Sequence, residues 1–177
     1  MPPRLMSTLF PADLIAAAQS LLTQLQRHAL LITTAESCTG GLLAGVLTEV
    51  PGSSGMVERG FVTYSNASKS ELLGVSADLI ARHGAVSEEA ARAMAEGALA
   101  RTPAHIAVSV TGIAGPDGGS PEKPIGLVYV SVAAKDLETR TQECRFGDIG
   151  RCEVRLASVR EALKLAHAAV GPGLQHV

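Results

Sequence analysis

The sequence alternates short apolar runs with longer segments whose apolar residues recur at helical spacing, and this alternation constrains the fold most strongly. Residues 12–28 carry one apolar stripe at helical spacing, and residues 29–34 (ALLITT) form a short apolar run ending in β-branched residues. Residues 41–50 return to helical spacing until Pro51 and Gly52 end the segment. This order predicts an α/β fold, because each buried strand must be covered by helices.

The remaining segments extend this alternation and end on two neighbouring strands. Predicted strands occupy 59–65, 105–111, 125–134 and 139–146. Predicted helices occupy 67–73, a stretch from after Ser76 to near Gly84, a stretch from Ser87 to about Arg101, and 151–169. The last two strands are joined by a short turn, so we expect them to be antiparallel. No linker or repeat divides the chain, so residues 1–177 are predicted to form one domain with a mixed sheet and a core at roughly 10–170.

Composition narrows the functional class. With 46% hydrophobic residues in 177, the chain can bury a sizeable core. A formal net charge of −2 without a long Lys/Arg run argues against a nucleic-acid partner. The segment MPPRLMSTLFPADL lacks the apolar region of a signal peptide, and no apolar run reaches membrane-spanning length, so we expect a cytoplasmic protein without membrane association. The three cysteines and five histidines lack metal-ligand spacing, so no metal site is expected.

The segment AESCTGG, residues 35–41, places a carboxylate, hydroxyls and a thiol on the turn between a strand and a helix. Its two glycines allow backbone amides to approach a ligand, and the helix start directs partial positive charge toward it. Ser37 is therefore a candidate nucleophile whose oxyanion the amides of this turn would stabilise. Two alternatives stay open from the residues alone: Cys38 as the nucleophile, and a plain helix cap formed by Ser37 or Thr39.

The segment TYSNASKSE, residues 63–71, contains a lysine at the start of a predicted helix. Asn66 would cap this helix and Gly74 would end it, which places Lys69 within the first turn. A cation there faces the unfavourable end of the helix dipole, so we expect its pKa to be lowered. A lysine with a lowered pKa can act as the general base for a serine nucleophile. The alternative is a solvated surface lysine.

A third polar cluster, TGIAGPDGG at residues 111–119, follows a predicted strand. Its glycines can cradle a phosphate or nucleotide with backbone amides, although it matches neither the Walker A nor the GxGxxG pattern. Pro116, Pro121 and Pro124 stiffen the segment, which favours a shaped pocket wall over the alternative of a slack loop.

Four motifs together resemble the CinA carboxy-terminal domain family. They are TAESCTGG, GSSGMVERGFVTYSNASKSELLGV, HGAVSEEAARAMA and VSVTGIAGPDGGSPEKPIGLVYV, and they occur in unbroken order within a match over roughly residues 10–170. Within this family, the chain is similar to the stand-alone nicotinamide-nucleotide amidases. The resemblance implies a three-layer α/β/α sandwich, a bacterial source and a homo-oligomer.

The resemblance also implies an activity: hydrolysis of the carboxamide of nicotinamide mononucleotide to nicotinic acid mononucleotide and ammonia, in pyridine-nucleotide salvage. It implies no cofactor and no metal. The family's nucleophilic serine corresponds to Ser37, its lysine to Lys69 and the tyrosine of the same motif to Tyr64. Lys69 would take the proton of Ser37, and the Tyr64 phenol would relay that proton or hold the lysine. The alternative is a non-catalytic nucleotide-binding or regulatory module on the same fold.

Candidate substrate contacts fall on two glycine-containing turns and one strand start. For the oxyanion, the candidates are the amides around Thr39, Gly40 and Gly41. For ribose or phosphate, they are Thr111, Gly112 and Gly115. Arg59 is a further candidate for the phosphate, with a salt bridge at the strand start as the alternative.

One segment departs from the family pattern. Relatives tend to read F-x-GDR before the last helix, where this chain has RFGDIGRCEVR. The arginine is displaced, so Arg151, Arg155 or neither takes its role. Many relatives also carry an amino-terminal domain that this sequence does not include, so none of that domain's activity is carried over.

Overall fold

A five-stranded sheet organises the chain, whose computed structural model describes residues 8–170. Its strands are β1 (Ile32–Glu36), β2 (Val57–Val62), β3 (Ile106–Gly112), β4 (Leu127–Ala134) and β5 (Arg140–Arg145). They lie in the order β2-β1-β3-β4-β5. Strand β1 is parallel to both β2 and β3, whereas β4 is antiparallel to both β3 and β5. The predicted mixed sheet and the antiparallel pairing of the last two strands are confirmed.

Helices cover both faces of this sheet. They are α1 (Ala12–Arg27), α2 (Leu42–Glu49), α3 (Asn66–Leu73), α4 (Ala77–His83), α5 (Glu88–Ala100) and α6 (Arg151–Ala169). Helices α1, α2 and α6 pack in one core with Val108 of β3, and α3, α4 and α5 pack in a second core with the neighbouring Ala107. The two cores lie on opposite faces because successive side chains of a strand point in opposite directions. This confirms the three-layer α/β/α sandwich.

Residues 8–170 contain no helix that is both long and apolar enough to cross a membrane. The first seven and the last seven residues of the chain lie outside the described part. Half of the segment examined for a signal peptide is therefore outside it, and the other half leads into α1.

The first two strands differ most from the prediction: β1 begins three residues later and ends two residues later, and β2 begins two residues earlier and ends three residues earlier. The predicted strand 29–34 begins too early, because Ala29 takes a positive φ of 51° and the amide of Leu30 donates to the carbonyl of Leu25 at 2.9 Å, which closes α1. The predicted strand 59–65 ends too late. The amide of Thr63 still donates to a carbonyl of β1, but the chain then turns into α3.

Helix α3 begins one residue before the predicted start. Its cap is Ser65, whose Oγ accepts a hydrogen bond from the amide of Ser68 at 3.1 Å, so the prediction of Asn66 as the cap is wrong. Gly74 ends the helix in the left-handed conformation, as predicted. Lys69 stays close to the start of the helix, within reach of the sheet.

The topology makes the carboxyl end of β1 a natural place for a site. From β1 the chain crosses one face through α2 to reach β2, and from β2 it crosses the other face through α3, α4 and α5 to reach β3. The chain therefore leaves β1 toward one edge of the sheet and leaves β3 toward the other edge, so a topological switch point lies between the carboxyl ends of the adjacent strands β1 and β3. In open α/β sheets the crevice beyond the strand ends at such a point commonly binds ligands.

The contact between α5 and α3 generates a stability prediction. A Cβ on Gly97 would lie 2.0 Å from the carbonyl oxygen of Leu73, the last residue of α3. Helix propensity alone would make alanine more stable by up to about 1 kcal/mol. Because the contact is with backbone, we instead expect Gly97→Ala to lower the free energy of unfolding by about 1–3 kcal/mol in urea denaturation.

Gly55→Ala is the matched control for that substitution. No heavy atom lies within 4 Å of a Cβ added at Gly55. Its free energy of unfolding should stay within about 1 kcal/mol of that of the unsubstituted protein. A Gly97→Ala variant as stable as Gly55→Ala would contradict the packing argument.

Candidate active site

Ser37 and Lys69 meet at the carboxyl end of β1. Ser37 follows the strand directly, and its amide donates to the carbonyl of Val110 in β3 at 2.9 Å. Lys69 extends from α3 toward the sheet, and its Nζ lies 3.1 Å from Ser37 Oγ, within hydrogen-bond distance. Lys69 is 1% exposed, so the alternative of a solvated surface lysine is wrong. The structure thus brings together the two residues that the sequence marked for nucleophile and base.

The surroundings of Lys69 favour the neutral amine. Its Nζ donates to the carbonyl of Thr63 at 2.7 Å, and the carbonyl of Tyr64 lies 3.4 Å away. Burial lowers the pKa of Lys69, and the neighbouring Cys38 partly offsets this effect. The direction of the pKa shift agrees with the prediction, but its main cause is burial, where the sequence suggested the helix dipole.

Glu36 has a role that sequence reasoning missed. Its carboxylate is fully buried and accepts hydrogen bonds from the amides of Gly41 at 3.1 Å, Leu43 at 3.0 Å and Ala44 at 2.9 Å. It therefore occupies the positive end of α2, which the sequence analysis had assigned to a ligand. The available signal was a carboxylate four residues before the Gly40-Gly41 pair that leads into the helix.

The turn between β1 and α2 leaves few amides for a substrate. The amide of Gly40 donates to the carbonyl of Ser37 at 3.0 Å, and the amide of Gly41 is taken by Glu36. The predicted oxyanion contacts at Gly40 and Gly41 are therefore wrong. Among residues 8–170, the amide of Thr39 has no acceptor, and the amide of Cys38 has none outside its own residue.

Cys38 is a poor rival to Ser37 as the nucleophile. Its side chain is 6% exposed. Burial raises the pKa of the Cys38 thiol to about 12, with a smaller contribution from the negative charge of Glu36. A buried neutral thiol is inert, because the thiolate is the reactive form of cysteine.

Two arginines of α6 reach the same region, and the sequence had left the choice between them open. Arg155 donates through Nε to the carbonyl of Cys38 at 3.1 Å and through Nη2 to the carbonyl of Thr39 at 3.2 Å. Arg151 donates through Nη1 to the carbonyl of Gly115 at 2.8 Å and through Nη2 to the hydroxyl of Tyr64 at 3.2 Å. Arg155 thus holds the turn after β1, and Arg151 lies at the mouth of the site.

Tyr64 lies at the rim of the site, with 63% of its surface exposed. Its phenol accepts a hydrogen bond from Arg151, and its backbone carbonyl is the group near Lys69. The expected proton relay through the phenol therefore has no hydrogen bond to Lys69 or Ser37 within the described residues.

Arg59 lies away from the site. It is on the edge strand β2, where its Nε pairs with the carboxylate of Glu58 at 2.5 Å. Arg59 pairs in register with Thr33 of β1. Thr33 comes four residues before Ser37, and at the rise of a β-strand this separates the two positions by about 13 Å. The structure shows the salt bridge that the sequence offered as the alternative, and it does not bring Arg59 together with Ser37 and Lys69.

The glycine-containing segment after β3 is anchored, which argues against a slack loop. Lys123 donates to the carbonyls of His83 at 2.6 Å and Val86 at 2.7 Å. The hydroxyl of Thr111 donates to the carbonyl of Ala85 at 2.7 Å, so its proton is not free for a substrate. Gly112 is required for packing, since a Cβ there would lie 2.5 Å from the side chain of Val128.

This segment borders a cleft of about 600 Å³. Its lining residues include Pro116, Asp117, Gly118, Gly119, Gly147 and Asp148. Gly115, a predicted substrate contact, directly precedes these residues and has a positive φ of 78°. Its carbonyl is the acceptor for Arg151, so the cleft and the mouth of the site are linked through one hydrogen bond.

Similar proteins carry related names. The chain is 52% identical to the protein named nicotinamide-nucleotide amidohydrolase PncC from Enterobacter agglomerans, over 76% of this chain and 82% of that protein. It is also 52% identical to a CinA-like protein from Akkermansia muciniphila, over 70% of this chain. That alignment spans 30% of the length of the Akkermansia protein, and those with other full-length relatives span a similar share.

The fold comparison agrees with the sequence comparison. The crystal structure of competence/damage inducible protein CihA from Agrobacterium tumefaciens superimposes with a TM-score of 0.90 at 51% identity, over 93% of this chain and 99% of that one. The model of the CinA C-terminal domain matches residues 15–170, which include both Ser37 and Lys69. The chain therefore belongs to the CinA C-terminal domain family.

Proposed function

We propose that this protein hydrolyses the carboxamide of nicotinamide mononucleotide to nicotinic acid mononucleotide and ammonia. The observation that carries the proposal is the buried pair of Ser37 and Lys69, whose Oγ and Nζ lie 3.1 Å apart. The substrate follows from the name of the Enterobacter relative at 52% identity. The homo-oligomer implied by the family resemblance and the cytoplasmic location expected from the hydropathy pattern stay predictions.

The acylation step uses Lys69 twice. The neutral amine takes the proton of Ser37 as Oγ bonds to the carboxamide carbon, which gives a tetrahedral oxyanion. Lys69 then gives that proton to the amide nitrogen as the carbon–nitrogen bond breaks, and ammonia leaves. Burial supports this cycle because it lowers the pKa of Lys69, which raises the fraction of neutral amine at a given pH.

The deacylation step repeats the same proton transfers with water. Lys69 takes a proton from water as the water oxygen bonds to the acyl carbon, and returns it to Ser37 Oγ as the ester bond breaks. The amides of Cys38 and Thr39 are the donors proposed for the oxyanion in both steps. The carbonyl of Thr63 orients Lys69 throughout.

The phosphate of the substrate is assigned to Arg151. A guanidinium has five N–H donors, and the hydrogen bonds to Gly115 and Tyr64 use two of them. Arg151 is exposed and lies beside the cleft, where its remaining donors can bind a phosphate. Tyr64, held by Arg151, would contact the nicotinamide or the ribose.

The first prediction from this mechanism concerns the catalytic pair of Ser37 and Lys69. Ser37→Ala should abolish ammonia release from nicotinamide mononucleotide, because the nucleophile is lost. Lys69→Met should lower kcat by at least about 10²-fold, because the general base is lost. Steady-state assays of the purified variants measure both effects.

Ser68→Ala and Lys164→Met are matched controls, since Ser68 is partly exposed, Lys164 is exposed and neither belongs to the pair. Both controls should keep the unsubstituted rate within about twofold. Full activity in Ser37→Ala would exclude the mechanism. No ammonia release from the unsubstituted protein would favour the non-catalytic nucleotide-binding module.

The second prediction concerns pH. The neutral form of Lys69 is the active one, so kcat/KM should rise with pH as the ammonium loses its proton. Because burial lowers the pKa of Lys69, the ascending limb should lie below its ordinary value of 10.5. A Cys38→Ala variant should keep the limb, at the same or a slightly lower pH, since Cys38 takes no part in the reaction and only offsets part of the pKa shift of Lys69. A limb that disappears in Cys38→Ala would assign the titration to cysteine instead.

The third prediction separates the two arginines considered for the phosphate. Arg151→Met should raise KM for nicotinamide mononucleotide about tenfold or more, because a charge-assisted hydrogen bond to the phosphate is lost. Arg59→Met, which removes an exposed ion pair on β2, should leave KM within about twofold. Nicotinamide riboside, which has no phosphate, should not distinguish Arg151→Met from the unsubstituted protein in KM. A larger KM effect in Arg59→Met would overturn the assignment.

A further inference from the structure

Arg155 donates to two backbone carbonyls beside Ser37, whereas Arg151 lies at the mouth of the site and donates to one carbonyl and one hydroxyl. Arg155 is partly buried, and two nitrogens of its guanidinium donate hydrogen bonds to the carbonyls of Cys38 and Thr39 in the turn after β1. These are two consecutive peptide groups beside the nucleophile. A side chain that binds both constrains the orientation of the turn itself.

The planarity of the peptide bond converts this contact into an orientation of amides. In a trans peptide the carbonyl and the following N–H point in opposite directions. Because Arg155 holds the carbonyl of Cys38, the amide of Thr39 must point away from Arg155. That amide has no acceptor among residues 8–170, although its residue is fully buried. A buried donor without an acceptor is unusual and calls for a partner.

The next peptide is fixed from both ends. Arg155 holds the carbonyl of Thr39, and the N–H of the same peptide, on Gly40, donates to the carbonyl of Ser37. Gly40 has a φ of +57°, which favours glycine, and a Cβ there would be in ordinary contact with Arg155 Nη2 at 3.4 Å. Glu36 secures the far end of the turn through the amide of Gly41.

We propose that Arg155 is a positioning residue that holds the amide of Thr39 in the orientation that binds the oxyanion formed when Ser37 attacks. The inference rests on the proposed function and adds to it the group that prepares the oxyanion site. Arginine suits this role because its planar fork donates to two carbonyls at once, whereas a lysine is a single point charge. The positive charge also polarises both peptides and makes their N–H groups stronger donors.

The main experiment compares Arg155→Met with Arg160→Met. Arg160 lies on the same helix but pairs with Asp13 at 2.6 Å, away from the site, so it controls for the loss of an arginine from α6. With nicotinamide mononucleotide, Arg155→Met should lower kcat about 10²-fold and leave KM within about threefold, as for the loss of one oxyanion donor. Arg160→Met should leave both parameters within about twofold.

Two further variants keep the test valid if Arg155→Met folds poorly. Arg155→Lys keeps the charge but cannot reach both carbonyls in the same way, so its kcat should fall between those of the unsubstituted protein and Arg155→Met. Guanidinium ion at non-denaturing concentration should partly restore kcat in Arg155→Ala and have no such effect in Ser37→Ala. Wild-type kcat in Arg155→Lys together with no rescue of Arg155→Ala would overturn the inference.

A second readout does not depend on the substrate. A fluorophosphonate ester should phosphonylate Ser37: the Oγ–P bond forms, the P–F bond breaks, fluoride leaves and Lys69 takes the serine proton. The labelling rate, followed by mass spectrometry, should be lower in Arg155→Met than in Arg160→Met by a factor similar to that in kcat. Thermal melting of both variants verifies that the folded protein is compared.

The outcomes separate this inference from the proposed function. If the unsubstituted protein releases no ammonia but Arg155→Met still slows phosphonylation, the proposed substrate is wrong and the positioning role stands. If Arg155→Met matches Arg160→Met in kcat and in labelling, the positioning role is wrong while the proposed function stands. A rise in KM with unchanged kcat would make Arg155 a substrate contact and would also overturn the inference.

Discussion

The buried carboxylate of Glu36 is the interaction on which the candidate site depends. It ends β1 and accepts three amides at the start of α2, so the positive end of that helix is occupied by the protein's own charge. Residues 37–41 are consequently held between a strand end and a capped helix. This fixes the direction in which Ser37 leaves the sheet. Within the turn, the amides of Cys38 and Thr39 have no acceptor in another residue among 8–170.

The burial of Lys69 is unfavourable for stability and useful for chemistry. An ammonium removed from water is destabilised relative to the neutral amine, so the fold itself lowers the pKa of this group. One short hydrogen bond to the carbonyl of Thr63 fixes its position, and Ser37 Oγ lies beside it. The same burial that makes a charged lysine costly favours the neutral amine, which is the form that the proposed general base requires.

Helix α6 completes the site from the far end of the chain. Arg151 and Arg155 are four residues apart and therefore lie on the same face of the helix. Their acceptors differ, because Arg151 reaches the rim at Tyr64 and Arg155 reaches the turn after β1. In the proposed mechanism Arg151 binds the phosphate of the substrate, and Arg155 positions the backbone amide that binds the oxyanion. One face of α6 therefore contributes to both binding and catalysis.

The sequence by itself determined the order and type of the helices and strands, and it marked Ser37 and Lys69, because periodicity, helix ends and turn residues act over a few neighbouring positions. Only the tertiary structure decided that Glu36 caps α2 and that Arg59 lies opposite Thr33, four residues before Ser37 along β1. It also decided that Arg155 binds the carbonyl of Cys38, 117 positions away in the chain. These facts depend on strand register and on the packing of distant layers. A local pattern contains neither, since both arise only when separate segments meet.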